Sequence, residues 1–546
     1  MQHQVIAKNM KRTFISLAAA AVLSTGVAFP LDPGNITVGT DPDFIDDPML
    51  QLTAHRTWTV SAGRTLTIDS ETLDLGGYNL TFNGTSGDPW GRTVINSAIT
   101  GSGSLILGTS SSNTAATYFS EVHLNGENTF TGNVFIGGYT RLVLGSEAAL
   151  GVGGQLVFTG AGGNHYNPDR SMHIATAANA GDLVFSQSLK QDAVNGYIYF
   201  EGENSLTFNG GFSSERDSTY IINFIGGQSK TLTLGGGLQA HSNLLFAGPG
   251  KTILTDGIIK STTVATNGHM QIGFPSFYTS HANNANLRNQ PTTLEITETA
   301  TNNFRSTIVY NAATLILDGS IESKETSNGL AVYRGGTLKG SGSVSLTTTV
   351  IAGDATLYAQ GLTVNGKLDF NNTASNWLGI GDLNNFGGVK KVRVESSSFN
   401  KVSVNGTLAW ATADTNKVNV EFLGEWLFGD NEKTLLFDLS GKGGELTGGG
   451  FTEWETSDKL DINLYGILYG DADALASLAA ALDSGDLTKE TNVYLYYDDG
   501  NGLYKTKGIW LVGAAAPVPE PSTWLLLGAG VAVLALFRRR KQGKKI

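Results

Sequence analysis

From about residue 51 onward, short segments alternate apolar and polar residues. Thr65-Leu66-Thr67-Ile68, Asn79-Leu80-Thr81-Phe82, Ser104-Leu105-Ile106-Leu107 and Val122-His123-Leu124 set the pattern. It continues through Leu142-Val143-Leu144, Gln155-Leu156-Val157-Phe158, Leu183-Val184-Phe185, Leu206-Thr207-Phe208, Thr231-Leu232-Thr233-Leu234, Leu244-Leu245-Phe246 and Thr314-Leu315-Ile316-Leu317. Apolar residues at every second position mark strands with one face buried. Most of these segments are followed within a few residues by Gly, Asn-Gly or Asp-Gly, which turn the chain. Asp473 to Leu482 alone reads as a short helix. One short strand cannot bury its apolar face, so many of them must stack into a continuous core. The pattern predicts an all-β chain with a right-handed parallel β-solenoid, or β-helix, over 51–370. A set of antiparallel sandwiches is the alternative that the same strands allow.

Past residue 370 the texture changes. Trp377, Trp410, Trp426 and Trp454 appear, and glycine thins out except at Gly443 to Gly450. Lys391-Val392-Arg393-Val394 and Val402-Ser403-Val404 still alternate, and Tyr494-Leu495-Tyr496-Tyr497 runs into the turn signal Asp498-Asp499-Gly500-Asn501-Gly502. Residues 371–513 are therefore expected to form a separate, smaller β-rich cap or sandwich, with its tryptophans in the core or free to stack on sugar rings. Ahead of the solenoid, 29–50 is an irregular acidic segment carrying Asp41, Asp43, Asp46 and Asp47. Hard oxygen ligands suit calcium, and a solvated acidic loop explains the same residues.

Composition narrows the class. Seventy glycines against 12 prolines, without a Gly-X-Y period, exclude collagen and Pro-rich linkers. There are no cysteines, which excludes disulfides, thiol catalysis and thiolate metal sites. The formal net charge is −12. Three of the 36 basic residues lie in 1–28 and six follow Glu520, so the segment between them holds 27 basic against 47 acidic residues. Such a surface repels nucleic acid.

The two ends carry transport signals. Lys8, Lys11 and Arg12 precede the apolar stretch Phe14 to Val22 and the small residues Ser24, Gly26 and Ala28. This is the layout of a secretory signal peptide over 1–28. At the other end, 514–546 holds a linker and a tail: Val518, Pro519, Glu520, Pro521 and Ser522, then the apolar segment 524–537, then Arg538, Arg539, Arg540 and Lys541. Trp524, Leu525, Leu526, Leu527, Leu534, Leu536 and Phe537 give that segment its anchoring surface. It is short for a span of about 20 residues, and the basic end predicts a cytoplasmic C-terminus for a single membrane helix. The tail resembles the PEP-CTERM sorting signal of Gram-negative bacteria. That resemblance implies an exosortase-type sorting protease as partner, cleavage near Pro-Glu-Pro, and delivery to the cell surface or extracellular matrix.

A second resemblance sits in the body. Gly126, Asn128, Thr129, Phe130, Thr131 and Gly132 fill the Gly-x-Asn-Thr-aromatic-Thr-Gly turn of the autotransporter-associated β-strand repeat, within a unit running from Leu124 to Gly151. Weaker echoes lie at Gly202 to Gly210, Gly335 to Val344 and Leu362 to Phe370. The repeat implies a turn joining two rungs of a solenoid. No aromatic-ended alternating strands close the chain as an outer-membrane barrel.

Catalytic motifs are missing: no Gly-x-Ser-x-Gly, no His-Glu-x-x-His, no phosphate loop and no dinucleotide fingerprint. His55, His123, His165, His173, His241, His269 and His281 are scattered; His165 and His173, with Asp169 in a Gly/Asn-rich loop, are the closest set for a metal. Parallel β-helices also host polysaccharide lyases and glycosidases, for which Asp318, Glu322 and Glu325 near Tyr310 and Tyr333 are the candidates here. The expectation is a non-enzymatic, exported structural or adhesive protein without cofactor. Its partners would be extracellular polysaccharide or a neighbouring cell surface, the membrane through its tail, and no nucleic acid.

Overall fold

The computed structural model describes residues 31–39, 43–85, 90–108, 120–160, 171–192, 197–215, 218–226, 229–261, 268–274, 290–310, 312–322, 329–333, 335–370, 390–410, 418–423, 433–447, 464–465, 493–501 and 505–513. The two transport signals, the helix expected at Asp473 to Leu482, and Trp377, Trp426 and Trp454 lie outside them.

The described chain is all-β. Its strands form an 18-stranded, a 16-stranded and an 11-stranded sheet, with a further three-stranded sheet near the N-terminal end. The chain visits them in rotation. Ser188–Gln191 lies in the first sheet, Tyr197–Gly202 in the second and Leu206–Phe208 in the third; Phe212–Ser214 then returns to the first, directly above Ser188–Gln191. Each turn thus sits on the one before, and nearly every ladder is parallel. This is a β-helix-like stack, and the antiparallel-sandwich alternative is set aside for it. Leu, Val, Ile and Phe at the inward positions form one cluster running from Val38 to Leu511. Aromatic residues meet in register inside it: Trp58 on Phe82 at 5.7 Å, and Phe185 on Phe208 at 5.4 Å.

Two features depart from the sequence reading. First, the ladders cross residue 370. Thr356–Tyr358 pairs in parallel with Lys390–Glu395, which pairs with Val418–Leu423; Lys367–Asp369 pairs with Thr407–Ala409 and on to Glu445–Thr447. Trp410 is buried between Phe370 and Phe437 in the same core. What ends the stack is antiparallel: Gly508–Gly513 lies between Lys433–Asp438 and Val493–Asp498. Second, part of the second sheet is buried on both faces. Tyr197, Tyr199, Ile222, Leu245, Ala247 and Phe274 form one outer cluster, and Ile308, Tyr310, Ala331, Tyr333, Val350 and Ala352 another. Near-continuous apolar runs such as Tyr197 to Phe200 are what a doubly covered parallel strand needs.

The third side of the stack changes sheet part-way. It begins as Met49–Gln51, Thr72–Asp74 and Ala98–Thr100, and resumes as Leu183–Phe185. In the two turns between, no strand forms on this side, and Asn128 replaces the ladder. Its Oδ1 accepts from Ile99 N at 2.8 Å in the turn below, and its Nδ2 donates to Ala149 O at 2.8 Å in the turn above. A primary amide carries one acceptor and donors in the arrangement of a peptide group, so it can stand in for one. Phe130 beside it is fully buried, while Thr129 and Thr131 face solvent and bond the turn below through their backbone N–H groups. Gly132 is demanded by contact: a Cβ there would lie 2.1 Å from Gly103 O. Asn204 repeats part of the device, donating to Ala177 O at 2.9 Å.

Replacing Asn128 by Leu orphans a buried N–H and a buried C=O, at about 1–3 kcal/mol each. The urea midpoint of the Asn128→Leu protein is expected to fall accordingly. Asn125→Ala removes an exposed amide bond to Asn96 and is expected to cost less than about 0.5 kcal/mol. Equal midpoints for the two variants would refute the role given to Asn128.

Candidate functional site: a charged and aromatic strip on the second sheet

Stacking brings together residues far apart in the chain. On the second sheet Val122, Leu142, Ile174 and Phe200 follow one another in register on the core side. Strand alternation then puts Arg92, Glu121, Arg141, His173 and Tyr199 in one outward column, and His123 and Glu201 in the next. Neighbouring turns are about 4.8 Å apart, so the side chains along each column touch.

Glu121 is the hub. Its Oε1 accepts from Arg92 Nε at 2.7 Å and lies 2.6 Å from His123 Nε2; its Oε2 accepts from Arg141 Nη1 at 3.3 Å. Glu201 lies 2.9 Å from His173 Nδ1, and its Oε2 is 3.3 Å from Arg141 Nε. Arg141 thus bridges two His–Glu pairs. The His173 ring stacks on Tyr199 at 4.8 Å and meets the edge of Trp90 at 6.1 Å. Beyond Tyr199 the aromatic surface continues to Phe224, and through Tyr197 to Tyr220. The Glu121 side chain is only 9% exposed, whereas Arg92 is 51% exposed, so the strip opens at its Arg92 end.

Burial alone would push the Glu121 carboxyl up, but the hydrogen bond with His123 and the charges of Arg92 and Arg141 outweigh it and hold it at about 2. Burial likewise opposes ionisation of Glu201, and the His173 contact and Arg141 overcome it, leaving that carboxyl below its ordinary range. Both acids are therefore ionised at neutral pH. Cleavage of a glycosidic bond uses a carboxylic acid with a raised pKa as proton donor, and these two are shifted the other way. Tyr197 and Tyr199 are buried and both Glu121 oxygens are engaged, so the strip ties successive turns together, with Arg92 at its exposed end.

The other candidates fall elsewhere. His173 stands on the strand Met172–Thr176 with Glu201 as its partner; His165 and Asp169 lie outside the described residues. Asp318 accepts from both Ser341 N and Ser341 Oγ, at 2.9 and 3.0 Å, as part of a turn-to-turn contact. Tyr310 and Tyr333 are buried against each other at 5.1 Å, so they line no open groove with Asp318 or Glu322; Glu325 is outside the described residues. Of the acidic lead-in, Asp43 belongs to a strand paired with Leu66–Ile68, and the Asp47 carboxyl is pushed up by burial and by Asp46. Among the described residues no group of three or more His, Asp or Glu is placed to hold a metal. Sequence reading missed the Glu121 hub because its partners are spread from Arg92 to Arg141 over three strands. The available signal was a charged or aromatic residue recurring between apolar neighbours in successive second-sheet strands.

Residues 517–541 match the PEP-CTERM protein-sorting motif. The motif marks an exported protein that is sorted to the envelope and processed by an exosortase. No curated protein and no solved structure matches the chain. Among the described residues no helix is long and apolar enough to cross a membrane, and the tail with Trp524 to Phe537 and Arg538 to Lys541 lies outside them.

Removing the charge in Glu121→Gln is expected to lower stability by about 2–4 kcal/mol at neutral pH. The folded-state pKa is depressed, so this contribution is full above about 4.5 and fades as pH falls toward about 2. Thermal melts of both proteins should therefore differ by a constant amount from pH 7 to pH 5 and converge below. A gap that persists unchanged at pH 2.5 would contradict the assignment.

Proposed function

We propose that the chain is a non-enzymatic structural or adhesive protein of the cell surface or exopolysaccharide matrix. It is exported behind the signal peptide at 1–28, held transiently by the apolar segment 524–537, and released or anchored when an exosortase acts near Pro519-Glu520-Pro521. The observation that carries this reading is the pairing of a sorting motif at 517–541 with a long parallel stack of short turns. A stack whose stability grows with each added turn makes a stiff spacer. In this reading the turn at Gly126 to Gly132 is an autotransporter-associated repeat, and its Asn128 bridge fits a motif that joins rungs without a strand. One further point supports the non-enzymatic reading: Glu121 and Glu201 are held ionised by internal partners, whereas a glycosidic acid needs a raised pKa.

The test follows the tail and the surface together. In cells, a Pro519→Ala, Glu520→Ala, Pro521→Ala variant is expected to accumulate uncleaved in the membrane fraction, while the parent chain reaches the surface in shortened form. Normal processing of the variant would remove the sorting step from the reading. Incubation of the purified protein with acidic polysaccharides is expected to leave the polymer length unchanged; new reducing or unsaturated ends would make it an enzyme.

A further inference from the structure

The two ends of the stack differ. At the C-terminal end Gly508–Gly513 lies antiparallel beside Lys433–Asp438, and Leu436, Phe437, Ile509 and Leu511 are fully buried there. At the N-terminal end the bottom turn is Leu31, Ile36–Val38 and Asp43–Ile45, one piece on each side. Among the described residues each piece pairs only upward: Leu31 with Leu50, Ile36 with Trp58 and Ile45 with Ile68. The upper member of every pair is fully buried, whereas Leu31, Ile36 and Ile45 are only partly so. These three face the core from its three sides and form its floor; Val38 beside them is already covered. The backbone shows the same edge. Val38 O accepts from Ser61 N at 3.1 Å and Ile45 O from Asp69 N at 2.8 Å, so both residues point up into the stack. Successive residues of a strand aim their N–H and C=O at opposite edges, so Thr37 aims both downward, and its side chain is exposed. The turn is held ready: Asp32 Oδ1 accepts from Arg56 Nε and from Gly34 N, each at 3.0 Å.

We propose that this floor docks a second copy of the chain, tip to tip, about a two-fold axis. An apolar floor rimmed by strand edges is a template for pairing with another chain. The proposal rests on the exported, tail-tethered role given above, in which loss of 1–28 leaves only Phe29 and Pro30 ahead of Leu31, too few residues to lay a strand across the floor. A two-fold axis at right angles to the stack turns one side onto itself in antiparallel register and exchanges the other two, so all three edges meet their counterparts together. Head-to-tail growth is blocked, because the first sheet ends at the other tip in an antiparallel pair instead of a parallel turn. Association therefore closes at two copies. The sorting motif begins at residue 517, just past Gly513, so the tether leaves from the closed end and the floor lies at the far one. Copies held on facing surfaces then meet by their floors. The chain is acidic, and Asp46 and Asp47 follow Ile45 at this tip, so two tips repel at low salt and pair more tightly once salt screens them.

The experiment is sedimentation velocity on the full chain recovered from cells, in mild detergent, across a concentration series and a salt series. The parent is expected to reach a dimer and no larger species, with affinity rising as salt rises. Thr37→Pro removes a downward N–H that the chain's own ladder does not use, and a proline is tolerated on an edge strand. It is expected to weaken the dimer at least tenfold with circular dichroism unchanged. Ile45→Asp charges the floor and is expected to weaken the dimer to the same extent. Val184→Asp alters an apolar residue that is 47% exposed on the flank, and is expected to associate like the parent. A parent that stays monomeric at every salt concentration would overturn the proposal. So would a dimer that survives both tip substitutions, which would place the contact in the tail or the flank, and so would equal losses in all three variants. A monomeric chain that is still delivered to the surface would leave the structural reading standing without the contact. Tip-to-tip dimers of a chain that never reaches the surface would end that reading and keep the contact.

Discussion

Everything in this molecule depends on the parallel backbone ladder between one turn and the next. A turn of the coil offers three short strands, each too small to shelter its own apolar face. Hydrogen bonds to the turns above and below fix the register, and register decides which residues face inward. Once Leu66 sits over Phe44's strand and under Thr93, the alternation of the sequence closes a core with no further instruction. Where the third side gives up its strand, the ladder still has to be continued, and Asn128 continues it with a side chain. The same constraint explains the glycine at 132, because two backbones approach there more closely than a Cβ permits.

Register also creates the surface. Strands repeat at irregular intervals of sequence, yet equivalent positions end up one above another. Outward residues therefore organise into columns. On the second sheet the columns hold Glu121, Arg141 and His173 among aromatic rings; on the third they hold Lys339, Tyr358 and Arg393. The second-sheet strip is charge-balanced and partly enclosed, with both carboxylates ionised against burial. Core positions alternate with the outer columns, so the two faces of a strand carry separate sets of contacts.

Much of the fold was legible. Thr65–Ile68, Leu206–Phe208, Thr231–Leu234 and Thr314–Leu317 are strands at the residues where apolar and polar positions alternate. That signal is local, and each short strand carries it whole. The limit assigned at residue 370 was not legible, since a richer aromatic content after it changes composition without interrupting the ladders. The second sheet's outer clusters were hidden for another reason. Tyr197 to Phe200 is apolar on both faces, and a continuous run does not say what covers its second side. The Glu121 hub was the least legible feature, because its geometry exists only after three separate strands have stacked.

The ladder pattern has a consequence for how the chain reaches its destination. Among the described residues each turn of the parallel stack bonds to the turn just before it in sequence, only the antiparallel end brings Gly508–Gly513 back to Lys433–Asp438, and no strand pairing joins the two ends. A chain of this design needs no distant segment before most of its turns begin to order. Turns can settle one upon another as they emerge, so each newly exposed apolar face is sheltered by the next arrival rather than waiting, uncovered, for the tail.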